Sequence, residues 1–254
     1  MRIRVRRSFG PWVSTTRFMV SRPPSCWRIT RAFCRQGYGL RESLGRNHRA
    51  GLPSGLRYAK KSGANPRFLD ANCFEDQVLA PFDQAFQGHT GPFIFESQRT
   101  GITAATFLEK LDHFLRQLPT RYEYAVEVRN PAVLGPEYRA ILAARQVSHV
   151  YNHLYAMPTL EEQHRTLGSG FTAPFMLLRL LTPRDKKYHD AVKAYEPYDK
   201  LVRPLPDMRD QTVKLVWQAM GEQRRAYVLV NNRSEGNAPL TIQALTDRLI
   251  EAPI

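Results

Sequence analysis

Residues 122–153 read YEYAVEVRNPAVLGPEYRAILAARQVSHVYNH, and the fold is decided there. Tyr122–Arg129 predicts a strand, Glu137–Gln146 a helix, and Ser148–His153 a second strand. A strand, a helix and a strand in succession imply parallel strands joined by a crossover.

The same alternation extends outward in both directions. Upstream, Phe74–Phe86 places Val78, Leu79, Phe82 and Phe86 at helical spacing, with Pro81 expected to bend the helix. Gly91-Pro92 stops that segment and Phe93-Ile94-Phe95 reads as a buried strand. In Thr103–Leu118 the residues Phe107, Leu108, Leu111, Phe114, Leu115 and Leu118 recur three and four apart, so this is an amphipathic helix that Pro119 ends. Downstream, Phe175–Leu181 is a strand, Met208–Arg224 a helix, Ala226–Asn232 a strand and Leu240–Ile250 a closing helix. No GxGxxG or GxxxxGK[ST] loop follows any strand, so the phosphate-binding signature of open nucleotide-binding sheets is missing. Polar residues gather instead where strands end: Glu96 and Gln98, then Glu127, Arg129 and Asn130, then Asn152 and His153, Arg179, and finally Asn231, Asn232 and Arg233. A (β/α) barrel builds its active site at that end.

Charge divides the chain unevenly. Residues 1–55 hold twelve arginines, no lysine, no aspartate and one glutamate, Glu42, a formal +11, whereas the remaining 25 basic and 22 acidic groups leave +3. Any nucleic-acid partner must therefore be held by residues 1–55. That segment reads as a basic arm, as an Arg- and Ser-rich transit peptide, or as the product of a wrong reading frame through GC-rich DNA; the abrupt change of composition near Gly55 and Leu56 favours the last. No sustained period appears in it, so it is expected to be an aberrant, disordered segment without secondary structure, preceding a partial barrel domain over residues 56–254. No run of about 18 apolar residues predicts a membrane span, and the N-terminus lacks the apolar core of a signal peptide, so the expected compartment is the cytoplasm. Cys26, Cys34 and Cys73 show neither CxxC spacing nor neighbouring histidine clusters, which predicts free thiols.

The spans GPFIFESQ, YAVEVRNP, HVYNH, LLRLLTP and VLVNNRSEGNAP, in this order, resemble the later strands of the YecE-like domain-of-unknown-function family. The resemblance covers roughly Leu56–Leu249 and implies an α/β, TIM-like (β/α) barrel in which strands four to eight are recognisable. The family's opening strands, one with glycine and tryptophan and one with glutamate and asparagine, have no counterpart in residues 1–55. The barrel is therefore expected to be incomplete and its activity impaired. The resemblance supplies no reaction and no cofactor.

Candidate roles follow from residue chemistry. Glu127 and Arg129, two apart on one strand, share a face; they are either a buried ion pair or a catalytic carboxylate beside an anion-binding arginine. Glu127 and His153 are the catalytic candidates; Glu96, Arg129, Asn152, Arg179, Asn231, Asn232 and Asn237 are candidates for binding a small anionic or phosphorylated substrate. Asn152 and His153 are adjacent, so only one can face a central site, and a histidine here is more often a hydrogen-bonded structural residue than a base. Asn231, Asn232, Ser234, Gly236 and Asn237 form either a phosphate cradle before a helix or a tight turn with a cap. No HxH or HxxE spacing suggests a metal site. Glu127, Arg129, Asn152 and Asn231 are expected to share one pocket.

Overall fold

The computed structural model describes residues 15–20, 68–86, 91–97 and 102–251. The chain divides into two compact units, Thr30–Val147 and Met1–Ile29 with Ser148–Ile254. The expectations for residues 1–14 and 21–55, the boundary at residues 55 and 56, Gln98, Cys26 and Cys34 lie outside the described residues.

The first element is the strand β1, Thr15–Val20 (TTRFMV), which corrects the expectation of no regular structure in residues 1–55. Six residues are too short for a convincing period, and this strand exists by virtue of its partner, the later strand Arg225–Asn231, against which it runs antiparallel.

In the unit Thr30–Val147, Asp70 caps the helix α1, Ala71–Phe74, by accepting from the Cys73 N–H at 3.0 Å. The chain widens into a π-turn over Glu75–Leu79 and returns to α2, Ala80–Phe86. Pro81 has no N–H with which to continue an α ladder, and the wide turn lies immediately before it. Next come β2, Phe93–Ser97, then α3, Ala104–Gln117, capped by Thr103, then β3, Tyr124–Val128 and α4, Pro136–Ala144. β2 and β3 are parallel, from Phe93 opposite Tyr124 to Ser97 opposite Val128. Their helix-facing side chains form an aromatic cluster: Phe95 packs on Phe74 (5.0 Å), Phe114 (4.9 Å) and Tyr124 (5.7 Å between centroids). Alternation then sends Glu96, Glu127 and Arg129 to the other face.

In the second unit, β4, Ser148–His153, is followed by α5, Leu160–Thr166, β5, Phe175–Leu180, α6, Tyr188–Tyr195, α7, Pro206–Gly221, β6, Arg225–Asn231 and α8, Ala238–Glu251. β4, β5 and β6 are parallel neighbours, with Val150 opposite Leu177 and Leu177 opposite Tyr227. Met176, Leu178 and Leu180 of β5 and Ala226, Val228 and Val230 of β6 form a core with Leu215, Val216 and Ala219 of α7 and Ile242, Leu245 and Leu249 of α8. The sequence reading assigns neither α5 nor α6. Both are short and polar on one side, although Thr159 and Glu162, which form a full capping box, carry a start signal in the sequence.

The long connection from β5 to α7 is tied to the loop after β6. Arg209 clasps the wholly buried Glu235 (Nη2 to Oε2, 2.9 Å; Nε to Oε1, 3.0 Å), and the Glu235 carbonyl accepts from the N–H groups of Val202 and Arg203. Gly236 sits between them with φ +114°, where a Cβ would meet the Lys200 carbonyl oxygen at 2.6 Å and the Val202 nitrogen at 2.8 Å. Both the dihedral and the backbone contacts exclude a side chain. Gly236→Ala is expected to lower stability by about 2–4 kcal/mol, read as a shift in the urea midpoint.

Candidate functional site

Each unit carries polar side chains at the carboxyl ends of its parallel strands. In Thr30–Val147 these are Glu96, Glu127 and Arg129. Glu96 and Glu127 are register partners, and Arg129 bridges them, Nη2 to Glu96 Oε2 at 3.0 Å and Nε to Glu127 Oε1 at 3.1 Å. The Arg129 N–H also bonds the Ser97 carbonyl at 3.0 Å, which fixes the residue just past the end of β3. Glu127 is fully buried; Glu96 and Arg129 keep 16% and 20% of their side-chain surface. Arg129 is thus a holder of two carboxyl groups here. Beside it lies a small cleft lined by Ser97, Ile102, Thr103, Phe107, Val128 and Asn130.

In the second unit the faces of β4 are settled by its partners. His149 Nε2 meets Gln163 Oε1 at 3.3 Å and the Tyr151 hydroxyl meets His164 Nδ1 at 2.8 Å, both on α5. His149, Tyr151 and His153 therefore face the helix layer, and Asn152 faces away. Asn152 lies opposite Arg179, and Arg179 opposite Leu229, two residues before Asn231. Asn152, Arg179 and Asn231 thus share the helix-averted face at the strand ends.

His153 does not join them. Its Nδ1 lies 2.9 Å from the Thr182 carbonyl, which can only accept, so Nδ1 carries the proton. The Thr182 and Leu181 N–H groups return bonds to the His153 carbonyl. Of the two roles open to this histidine, the geometry matches the hydrogen-bonded structural one, tying β4 to the end of β5. Burial pushes its pKa down to about 4.

The asparagines of the loop after β6 hold backbone groups. Asn231 Oδ1 accepts from the Arg233 N–H, Asn232 Oδ1 from the Ala238 N–H, and Asn237 caps α8 through Leu240 N–H while donating to the Tyr198 carbonyl at 2.8 Å. Asn237 is occupied at both ends of its amide, as a turn and cap require.

Sequence reasoning did not anticipate Gln163, which is fully buried and holds four groups. Its Nε2 donates to the Asn152 carbonyl (2.8 Å) and the Pro158 carbonyl (2.9 Å), while Oε1 faces the Asn152 N–H (3.2 Å) and His149. Nor did it anticipate the chain from Tyr151 to Glu222. Gln218 Nε2 donates to Glu222 Oε1 and the Ser169 carbonyl, so its Oε1 accepts from His164 Nε2–H at 2.9 Å and leaves His164 Nδ1 to accept the Tyr151 hydroxyl. These partners are up to dozens of residues apart, and no spacing rule connects them. Among the described residues, no group of three or more His, Cys, Asp or Glu stands close enough to hold a metal ion, and no helix is long and apolar enough to cross a membrane.

The family model described as protein of unknown function DUF72 matches residues 63–253. Among solved structures, a DUF72 family protein from Thermotoga maritima MSB8 is similar at 16% identity over 71% of this chain and 66% of that one, with a TM-score of 0.51. The alignment thus spans just under two thirds of that chain, and at this identity it speaks for the fold. A DUF72 family protein from Enterococcus faecalis V583 is similar at 15% identity over 78% of this chain and 70% of that one, with a TM-score of 0.49. No curated protein matches the chain.

Two outcomes test the electrostatics. Arg129→Met leaves Glu127 buried without its guanidinium and is expected to cost about 3–5 kcal/mol, much of it recovered in the double variant with Glu127→Gln. His149, buried completely, has its pKa lowered to about 4 by desolvation. The unfolded chain therefore takes up its proton at higher pH than the folded one. The stability this neutral histidine contributes is present above pH ~6.5 and lost as pH falls toward 4, by about 3 kcal/mol, and the same holds for His153. Chemical denaturation across that window should show the loss, and His149→Gln should flatten its slope by close to one proton.

Proposed function

Because the chain belongs to the DUF72 family of proteins of unknown function, we propose that it is an enzyme-class (β/α) protein that binds a small anionic or phosphorylated substrate at the carboxyl ends of its strands. The observation that carries this reading is the shared face of Asn152, Arg179 and Asn231 on three adjacent parallel strands. A guanidinium flanked by two carboxamides suits a phosphate or carboxylate, the arginine supplying paired donors and the amides adapting to the remaining oxygens. Asn232 shapes the adjoining loop.

Within Thr30–Val147, taken by itself, Glu127 is the acid or base of a separate strand-end cluster. Arg129 acts as its positioning residue and Glu96 as the second carboxylate that shares the guanidinium. The strands from Phe93 onward are read as the fourth to eighth of a TIM-like barrel, which makes this chain's barrel incomplete and its turnover impaired.

Inorganic phosphate and glycerol phosphate, titrated by calorimetry, test the anion site. Both are expected to bind the full chain, and Arg179→Gln is expected to weaken binding roughly tenfold to a hundredfold, the range for losing a charged hydrogen-bonding partner. Absence of heat with either anion, or equal affinity in the variant, would remove the reading. The second reading, a nucleic-acid partner held by the +11 of residues 1–55, predicts affinity for a random DNA duplex that falls steeply with salt and vanishes when arginines of that segment are replaced by glutamine.

A further inference from the structure

β6 lies between two strands of opposite sense. On one side β5 runs parallel to it, from Phe175 opposite Arg225 to Leu180 opposite Val230. On the other, β1 runs antiparallel through six positions, from Thr15 opposite Asn231 to Val20 opposite Ala226. The outer edge of β6 therefore has the geometry to receive an antiparallel strand along nearly its whole length. Ala226–Val230 (AYVLV) contains no charge, proline or glycine, and its residues are buried apart from Leu229, which is half-buried. A strand of this kind is what proteins ordinarily blunt or cover at a sheet edge.

We propose that the outer edge of β6 is a strand-acceptor surface, held by Thr15–Val20 within one chain and taken by β6 of a second copy when that strand leaves it. An antiparallel pair of identical strands is two-fold symmetric, so it closes as a dimer rather than growing into a filament. Self-pairing centred on Val228 sets Val228 opposite its own copy, Ala226 opposite Val230 and Arg225 opposite Asn231. No like charges face each other in that register, and β-branched and small apolar residues meet across it. In the intact chain the competition favours β1, because a strand carried on the same chain acts at an effective concentration on the order of mM. The same edge thus distinguishes a closed chain from a paired one, independently of the anion site.

The test replaces both Arg17 and Phe18 by proline in the full chain, since of two neighbouring residues in an antiparallel ladder one directs its N–H at the partner strand. At ~50 µM, well below that effective concentration, the Arg17→Pro, Phe18→Pro variant is expected to run as a dimer in light scattering while the wild type runs as a monomer. A peptide of residues 12–23 (WVSTTRFMVSRP) should return the variant to monomer. A variant that stays monomeric with wild-type circular dichroism overturns the proposal, and so does a dimer or aggregate that ignores the peptide. A second measurement needs no variant: in the wild type, the alternate amides of residues 15–20 that face β6 should exchange with deuterium ~tenfold or more slower than an unprotected chain, and exchange of all six at the unprotected rate overturns the proposal as well.

Discussion

A parallel strand has no exposed face to spare. β4 and β5 are buried along nearly their whole length on both sides, and this constraint governs what surrounds them. Met176, Leu178 and Leu180 require a helix layer, and α7 and α8 supply it with Leu215, Val216, Ile242 and Leu245. Of these, α7 also lies in the connection that carries the chain back from β5 to the parallel β6. Packing and topology are one requirement, and the polar residues are left to the strand ends because the strand interiors cannot hold them.

Several polar groups that enter the interior are held by backbone or by one another. Gln163 binds backbone on both sides of Asn152 and so fixes the strand end at which Asn152 sits. The Tyr151, His164 and Gln218 chain has one consistent proton arrangement, with both histidine nitrogens occupied, and burial lowers the pKa of His164. A neutral network of this kind gives the β4, α5 and α7 contact a unique register that apolar packing alone would leave looser. Among the described residues, Glu127 and Glu235 are the fully buried carboxylates, and each is met by an arginine; these carboxylates are thus held by pairing rather than by solvent.

The candidate site shows how the same residue type divides by surroundings. Arg129 faces two carboxylates, whereas Arg179 lies level with Asn152 on the neighbouring strand. Asn237 serves the helix start, whereas Asn152 stays level with Arg179 at the strand end, although the sequence offers both as substrate-binding amides. His153, a candidate base by position, spends its one N–H on the Thr182 carbonyl. Strand parity decides the difference, because one residue of displacement along β4 reverses the face.

Much of this was legible in the sequence. Periodicity located all five parallel strands and the long helices within a few residues, because burial on one or both faces writes itself into apolar spacing; the family followed from the strand-end motifs. Short elements escaped: α5 and α6 bury too little for a period to show, and Thr15–Val20 is a strand only because β6 offers it a ladder. The sequence could state that Glu127 and Arg129 share a face, since that is local geometry. It could not state which face of β4 meets the helices, that Gln163 gathers Asn152, Pro158 and His149, or that Arg209 reaches Glu235, because those contacts join residues far apart in the chain and exist only once the layers have packed. Local backbone preference is written in neighbouring residues; partner choice is written in the folded arrangement of distant ones.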